Sequence, residues 1–83
     1  MYLHIGKDFS IEYKSIIGIF DIESLKRTKT YKNIFNTLKN NVVDISEGNN
    51  KTIILTKEKN VVKAYISNIL SNTLEKRIEE NIF

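Results

Sequence analysis

The sequence predicts an α+β fold, a small and mostly antiparallel sheet with two helices. Short apolar runs of strand length recur along the chain, some alternating and one continuous. Two longer stretches, Ser24 to Asn40 and the segment from Asn72 onward, space their apolar residues at helical intervals. The chain has 83 residues without proline or cysteine, 41% hydrophobic and 28% charged. That composition suits a single packed domain over residues 1–83, and neither a disordered tail nor a disulfide scaffold.

Each element has a local reason. Leu3 and Ile5 share one face of a first strand and Tyr2 and His4 the other, and Gly6, Lys7 and Asp8 end it. Phe9 to Tyr13 alternates, predicting a second strand with one face covered. From Ile16 to Ile22 the alternation stops: Ile16, Ile17, Ile19, Phe20 and Ile22 project to both sides, so this strand requires cover on both. The first helix is expected to begin near Ser24 or Thr28, either of which suits an N-cap, with Tyr31, Ile34, Phe35 and Leu38 opposite Lys29, Lys32, Asn36 and Lys39. Asn40 and Asn41 tolerate the left-handed backbone of a helix end. Val42 to Ser46, Thr52 to Thr56 and Val61 to Ile66, with turns at Glu47 to Asn50 and Lys57 to Asn60, read as a three-stranded meander. Asn72, with Glu75 three residues on, marks the second helix, which aligns Leu74, Ile78 and Ile82.

Two helices cover about one face of a small sheet. A strand apolar on both faces then forgoes ~1.5–3 kcal/mol for each exposed side chain. Another copy of the chain is the expected cover, so a homo-oligomer is expected.

Composition narrows function by exclusion. Without cysteine there is no thiolate metal site. The first residues lack the basic segment and long apolar run of a signal peptide, and no apolar run approaches the ~20 residues of a membrane span. The expected location is cytoplasmic, with no membrane partner. Thirteen Lys plus Arg against ten Asp plus Glu give a net charge of +3 and an isoelectric point near 9.2, compatible with nucleic acid. Arginine occurs only at Arg27 and Arg77 in a chain rich in lysine, asparagine and isoleucine, the bias of an AT-rich genome.

Candidate chemistry is sparse. His4 is the only histidine and lacks an evident metal or general-base partner unless its strand adjoins that of Asp44. Asp21, Glu23, Asp44 and Glu47 fall at strand ends, where carboxylates form turns and caps. Gly6, Gly18 and Gly48 are isolated, so there is no phosphate loop; serine elbow and zinc spacing are likewise missing. No catalytic residue, metal ligand, cofactor or small-molecule substrate is expected, and the chain reads as non-enzymatic. What remains is polar and basic character on loops: Lys14 and Ser15 before the apolar strand, Asn49, Asn50 and Lys51 at one tip, Lys57 and Lys59 at the next. Lysine offers phosphate a mobile charge, and asparagine amides donate to phosphate oxygens or read adenine edges. A solvated tight turn accounts for the same residues at 48–50.

Four segments in order carry a resemblance: Tyr2-Leu3-His4-Ile5-Gly6, Ile16-Ile17-Gly18-Ile19-Phe20-Asp21, Val43-Asp44-Ile45 leading to Gly48, and Ser71-Asn72-Thr73-Leu74-Glu75-Lys76-Arg77. Together they resemble the RemA/RemB family of bacterial extracellular-matrix regulatory proteins, with the first and last closer to the RemB branch. The resemblance implies a cytosolic, nucleoid-associated DNA-binding regulator of biofilm-matrix genes, without a cofactor, whose RemA-type members assemble into rings. It also implies DNA contacts at the positions here held by Ser15, Asn49 and Asn50, where the RemA pattern has arginines; Lys14 and Lys51 are the nearest cations. Either DNA binding has moved to lysines or it has weakened. The expected function is a homo-oligomeric, ring-like transcriptional regulator that grips double-stranded DNA through Lys14, Ser15, Asn49, Asn50 and Lys51. The alternative is an oligomeric protein-interaction module.

Overall fold

The computed structural model describes residues 1–82, and the surroundings of side chains through residue 80. Strands β1 (Tyr2–Gly6) and β2 (Phe9–Glu12) form an antiparallel hairpin. A 3-10 turn over Tyr13–Ser15 leads into β3 (Ile16–Asp21). Helices α1 (Ile22–Leu25) and α2 (Lys29–Leu38) follow, then a second 3-10 turn over Lys39–Asn41 and the short strand β4 (Val42–Asp44). Strands β5 (Thr52–Glu58) and β6 (Val61–Ser67) and helix α3 (Ser71–Ile82) complete the order.

The main sheet has the order β3-β5-β6-β4, so the expected meander does not form. β4 pairs with β6, in parallel, instead of with β5. The reason lies in β3: it pairs with β5 along Ile16–Asp21 and takes the edge that a meander would give to β4, while Thr52, Ile53, Ile54 and Thr56 of β5 are buried between the two layers. β3 and β6 take its two edges, both antiparallel, and β4 is displaced to the rim. The sheet is therefore mixed, and the separate β1–β2 hairpin adds a third antiparallel pairing.

Two apolar clusters sandwich the sheet. On one face Leu3, Ile5 and Ile11 of the hairpin and Leu74 of α3 pack against Ile54 and Ile45, with Ile16, Ile19, Val43, Tyr65 and Ile78 around them. On the other, Ile22, Leu25 and Ile34 of α1 and α2 cover Ile53, Ala64 and Ile66. The expected helical stripe of Tyr31, Ile34, Phe35 and Leu38 faces this second cluster, and the Tyr31 and Phe35 rings meet edge to face at 4.9 Å.

Three helices, and not two, result from a break in the first. Asp21 accepts from the Ser24 backbone N–H at 3.1 Å, which starts a single turn at Ile22 and makes Ser24 a capped residue instead of the cap. Ile22 accordingly belongs to α1 and not to the strand. Thr28 then turns back, donating from both its N–H and its hydroxyl to the Leu25 carbonyl, and the helix restarts at Lys29. At the far end of α2 the positive φ falls on Lys39, at 42°, and not on Asn40 or Asn41. Helix α3 begins at Ser71, with its first bond from Leu74 N–H to the Leu70 carbonyl, so Asn72 lies inside the first turn. The expected place of Ile82 in the α3 stripe concerns a side chain outside the described ones.

β3 is an edge strand, and cover on both its faces is incomplete. Ile19 reaches the hairpin-side cluster, while Ile17 at the bulge opposite β5 is 57% exposed and Phe20 36% exposed. The Phe20 ring lies over Gly18, so a Cβ there would meet it at 2.6 Å and the ring would have to swing aside. Among the described residues no helix is long and apolar enough to cross a membrane.

Candidate nucleic-acid interface

The antiparallel β3–β5 ladder sets the geometry of the loops. Ile16 pairs with Thr56 at one end and Asp21 with Thr52 at the other. The turn bearing Lys14 and Ser15 enters β3 at the first end, and the loop bearing Asn49, Asn50 and Lys51 enters β5 at the second. Five residues of strand at ~3.3 Å each put roughly 17 Å between them. The five sequence-derived residues thus fall into two groups at opposite ends of one ladder.

At the first end, Lys14 extends into solvent with its side chain 84% exposed, and its ammonium lies 3.5 Å from Glu12. Ser15 faces inward. It is buried and its hydroxyl donates to the Glu12 carbonyl at 2.7 Å, which holds the 3-10 turn closed and leaves Lys14 as the group offered to a partner.

The second end is more constructed. Lys51 is pinned by its backbone, its N–H donating to the Ser67 carbonyl at 2.9 Å and its own carbonyl accepting from Ile22 N–H at 3.0 Å, while its side chain is exposed. Glu47 and Gly48, at φ 55° and 84°, make the turn, and Asn49 N–H closes it onto the Ser46 carbonyl at 3.1 Å. Beneath it lies Ser46, fully buried, whose Oγ sits 2.6 Å from Asp44 Oδ1 and 2.6 Å from the Asn50 side-chain amide. One hydroxyl proton serves one acceptor. Since the two ends of a carboxamide are interchangeable in shape, the arrangement that satisfies every group has the Asn50 amide N–H donating to Ser46 and Ser46 donating to Asp44. Asn50 keeps one N–H and its carbonyl oxygen for a partner.

Asp44 also accepts from Ser46 N–H at 2.9 Å. The Ser46 hydroxyl, this backbone bond and the nearby Lys7 charge hold its carboxyl below the usual range, against a smaller opposing effect of burial. Lys7 is the residue that sequence reasoning missed. The β1–β2 turn carries it to the loop, where its ammonium lies 3.9 Å from Glu47. Nothing local marks it, because the contact joins segments forty residues apart.

The remaining candidates have structural partners. His4 Nε2 lies 2.7 Å from the Lys7 carbonyl, and the His4 carbonyl accepts from Arg77 at 3.0 Å. Asp21 caps α1 and Glu23 pairs with Lys26 at 2.9 Å. Among the described residues no group of histidine and carboxylate side chains is arranged to hold a metal ion.

Comparison with known proteins agrees with this arrangement of segments. The RemA-like family, described as extracellular matrix regulatory protein A-like, matches residues 2–78. Extracellular matrix regulatory protein B of Bacillus subtilis (strain 168) is 33% identical over 79 residues, covering 95% of this chain and 91% of that protein. A match spanning the hairpin, both apolar clusters, the Asp44–Lys51 loop and most of α3 leads to one conclusion: the chain belongs to the RemA-like family of extracellular matrix regulatory proteins, and is similar to the RemB type.

Proposed function

We propose that the protein is a cytoplasmic, nucleoid-associated transcriptional regulator of extracellular-matrix and biofilm genes, which binds double-stranded DNA as a homo-oligomer. The observation that carries this reading is the preorganised loop from Asp44 to Lys51. Asn49, Asn50 and Lys51 are exposed on a backbone fixed by buried Ser46 and by bonds to Ser67 and Ile22, and Lys7 stands beside them. Such a loop meets a phosphate without first having to be ordered. Lys14 adds a second contact roughly 17 Å away, a span of about five phosphates along one strand at ~3.4 Å each.

Two sparse contacts per subunit give weak binding, and repetition supplies the rest. Linked sites raise avidity ~10²–10⁴-fold when the duplex can follow them. The exposed Ile17 and Phe20 on the free edge of β3 favour such self-association, because an uncovered apolar edge strand invites another chain. Contacts of this kind read backbone and shape more than base sequence.

The test is a salt-titrated mobility assay on wild type and on the double variant Lys14→Glu, Lys51→Glu. Wild-type affinity is expected to fall with a log–log slope of about −0.9 per phosphate neutralised, and the variant to lose binding at unchanged native mass. Undiminished binding by the variant would remove these residues from the interface. A second reading, an oligomeric protein-interaction module, draws on the ion pairs Lys14–Glu12 and Lys7–Glu47, which offset two of the cations nearest the loops. Failure of the wild type to be retained on heparin at moderate salt would favour it.

A further inference from the structure

We infer that the protein carries a binding site for a free nucleotide, of the nucleoside monophosphate class, at the overhanging end of the β5–β6 hairpin. Both strands run seven residues, but the β1–β2 hairpin and α3 cover their hairpin-side face only around Ile54 and Tyr65. Past the buried Thr56, Glu58, Val61 and Lys63 continue on the same face beyond that cover, and with Thr56 they join Lys59 and Tyr65 around a cleft of about 310 Å³. A second hollow of about 160 Å³ shares Thr56, Glu58 and Tyr65 with it and runs under the hairpin to Tyr2 and Ser10. Small-molecule sites begin at about this size.

The floor of the cleft points to a ligand. Among the described residues five hydroxyl side chains are buried: Ser15, Ser46, Thr52, Thr56 and Ser67. Ser15 donates to Glu12, Ser46 to Asp44, Thr52 to Ile69 and Ser67 to Ile5. Thr56, only 5% exposed, has no side-chain hydrogen bond among the described residues, yet its oxygen is not sealed off. It therefore opens into the hollows that it lines. Its oxygen meets water in those hollows, and a ligand with a hydrogen-bonding group can take that water's place.

The walls define the class. The Tyr65 ring, half-buried and braced by Phe9 at 6.1 Å, offers a surface on which a base can stack. Lys63 lies directly across the ladder from Thr56, and Lys59 stands at the turn; neither is ion-paired among the described residues. Two ammonium groups and a hydroxyl suit one phosphate, and Glu58 suits the paired hydroxyls of a ribose while disfavouring a longer polyanion. Any effect on DNA rests on the reading above, whereas ligand binding does not.

The experiment is calorimetry on the full chain without DNA, using adenosine monophosphate, adenosine and inorganic phosphate as separate probes. The nucleotide is expected to bind saturably and at least about tenfold more tightly than either fragment. Thr56→Val, which keeps the shape, is expected to weaken it about 2- to 10-fold, the worth of one hydrogen bond. Lys63→Gln, at an exposed position, is expected to weaken it and to flatten its salt dependence. The inference is overturned by lack of saturation up to about 1 mM, by affinity unchanged in both variants, or by tighter binding of a single-stranded oligonucleotide, which would assign the cleft to a nucleic-acid strand.

Discussion

Replacing Ser46 by alanine tests how the Asp44–Lys51 loop is held. The hydroxyl is fully buried and lies 2.6 Å from both Asp44 and Asn50, one a carboxylate and the other an amide. A hydrogen bond to a charged group is worth ~1.5–3 kcal/mol and a neutral one ~0.5–1.5. Asp44 and Asn50 are themselves exposed, so water replaces part of what is lost, and the expected cost is about 1–2 kcal/mol, near 1 M in a urea midpoint for a chain of this size. The carboxyl reports independently. Its strongest depressing influence is the Ser46 hydroxyl, so its value in the folded variant is expected to rise toward the ordinary 3.8, followed by carbon-detected titration. A carboxyl lowered on folding stabilises the protein above its unfolded value and loses that contribution as pH falls through the folded value. The variant's deficit should then be full at neutral pH and should shrink as pH falls below about 3.8. A midpoint unchanged within about 0.5 kcal/mol, together with an unmoved Asp44, would refute this account of the loop.

Two further perturbations address the core and the open edge. Leu74 is fully buried where α3 meets the hairpin and the sheet, so Leu74→Ala is expected to cost ~2–5 kcal/mol in chemical denaturation, and a loss under about 1 kcal/mol would show that α3 is not integral to that cluster. Ile17→Lys puts a charge on the exposed bulge of β3 and is expected to reduce the native mass measured by light scattering, leaving thermal unfolding little changed; an assembly of undiminished mass would move the seam elsewhere.

Where the sequence was legible, the reason was local. The strands β1 and β2, the apolar stripe of α2 and the polar turn at 47–50 follow from spacing and turn chemistry alone. The errors arose where distant segments compete. Val42 and Val43 look like the first strand of a meander, and only the pairing of the distant β3 with β5 leaves them no place beside it. Asp21 took at α1 the capping role that Ser24 offered, because a carboxylate at the end of an edge strand reaches the next turn first, while Thr28 holds the N-cap position of α2 without a side-chain bond there. The candidate site divides the same way. Lys14, Asn49, Asn50 and Lys51 could be nominated from type and loop position, whereas the inward turn of Ser15, the arrival of Lys7 and the unpartnered hydroxyl of Thr56 depend on packing that no spacing encodes.

The parallel alignment of β4 with β6 bears on how the chain is made. Val42 meets Ala64, about 22 residues downstream. At a ribosomal pace of ~5–20 residues per second, β4 emerges roughly 1–4 seconds before its partner exists. The β1–β2 hairpin, whose strands are nearly adjacent, needs no such delay. A nascent chain therefore makes the β1–β2 pairing early, while β3 waits for β5 and Val42 and Val43 stay bare until β6 is delivered, and during that interval a chaperone or a neighbouring polypeptide has its best access to them.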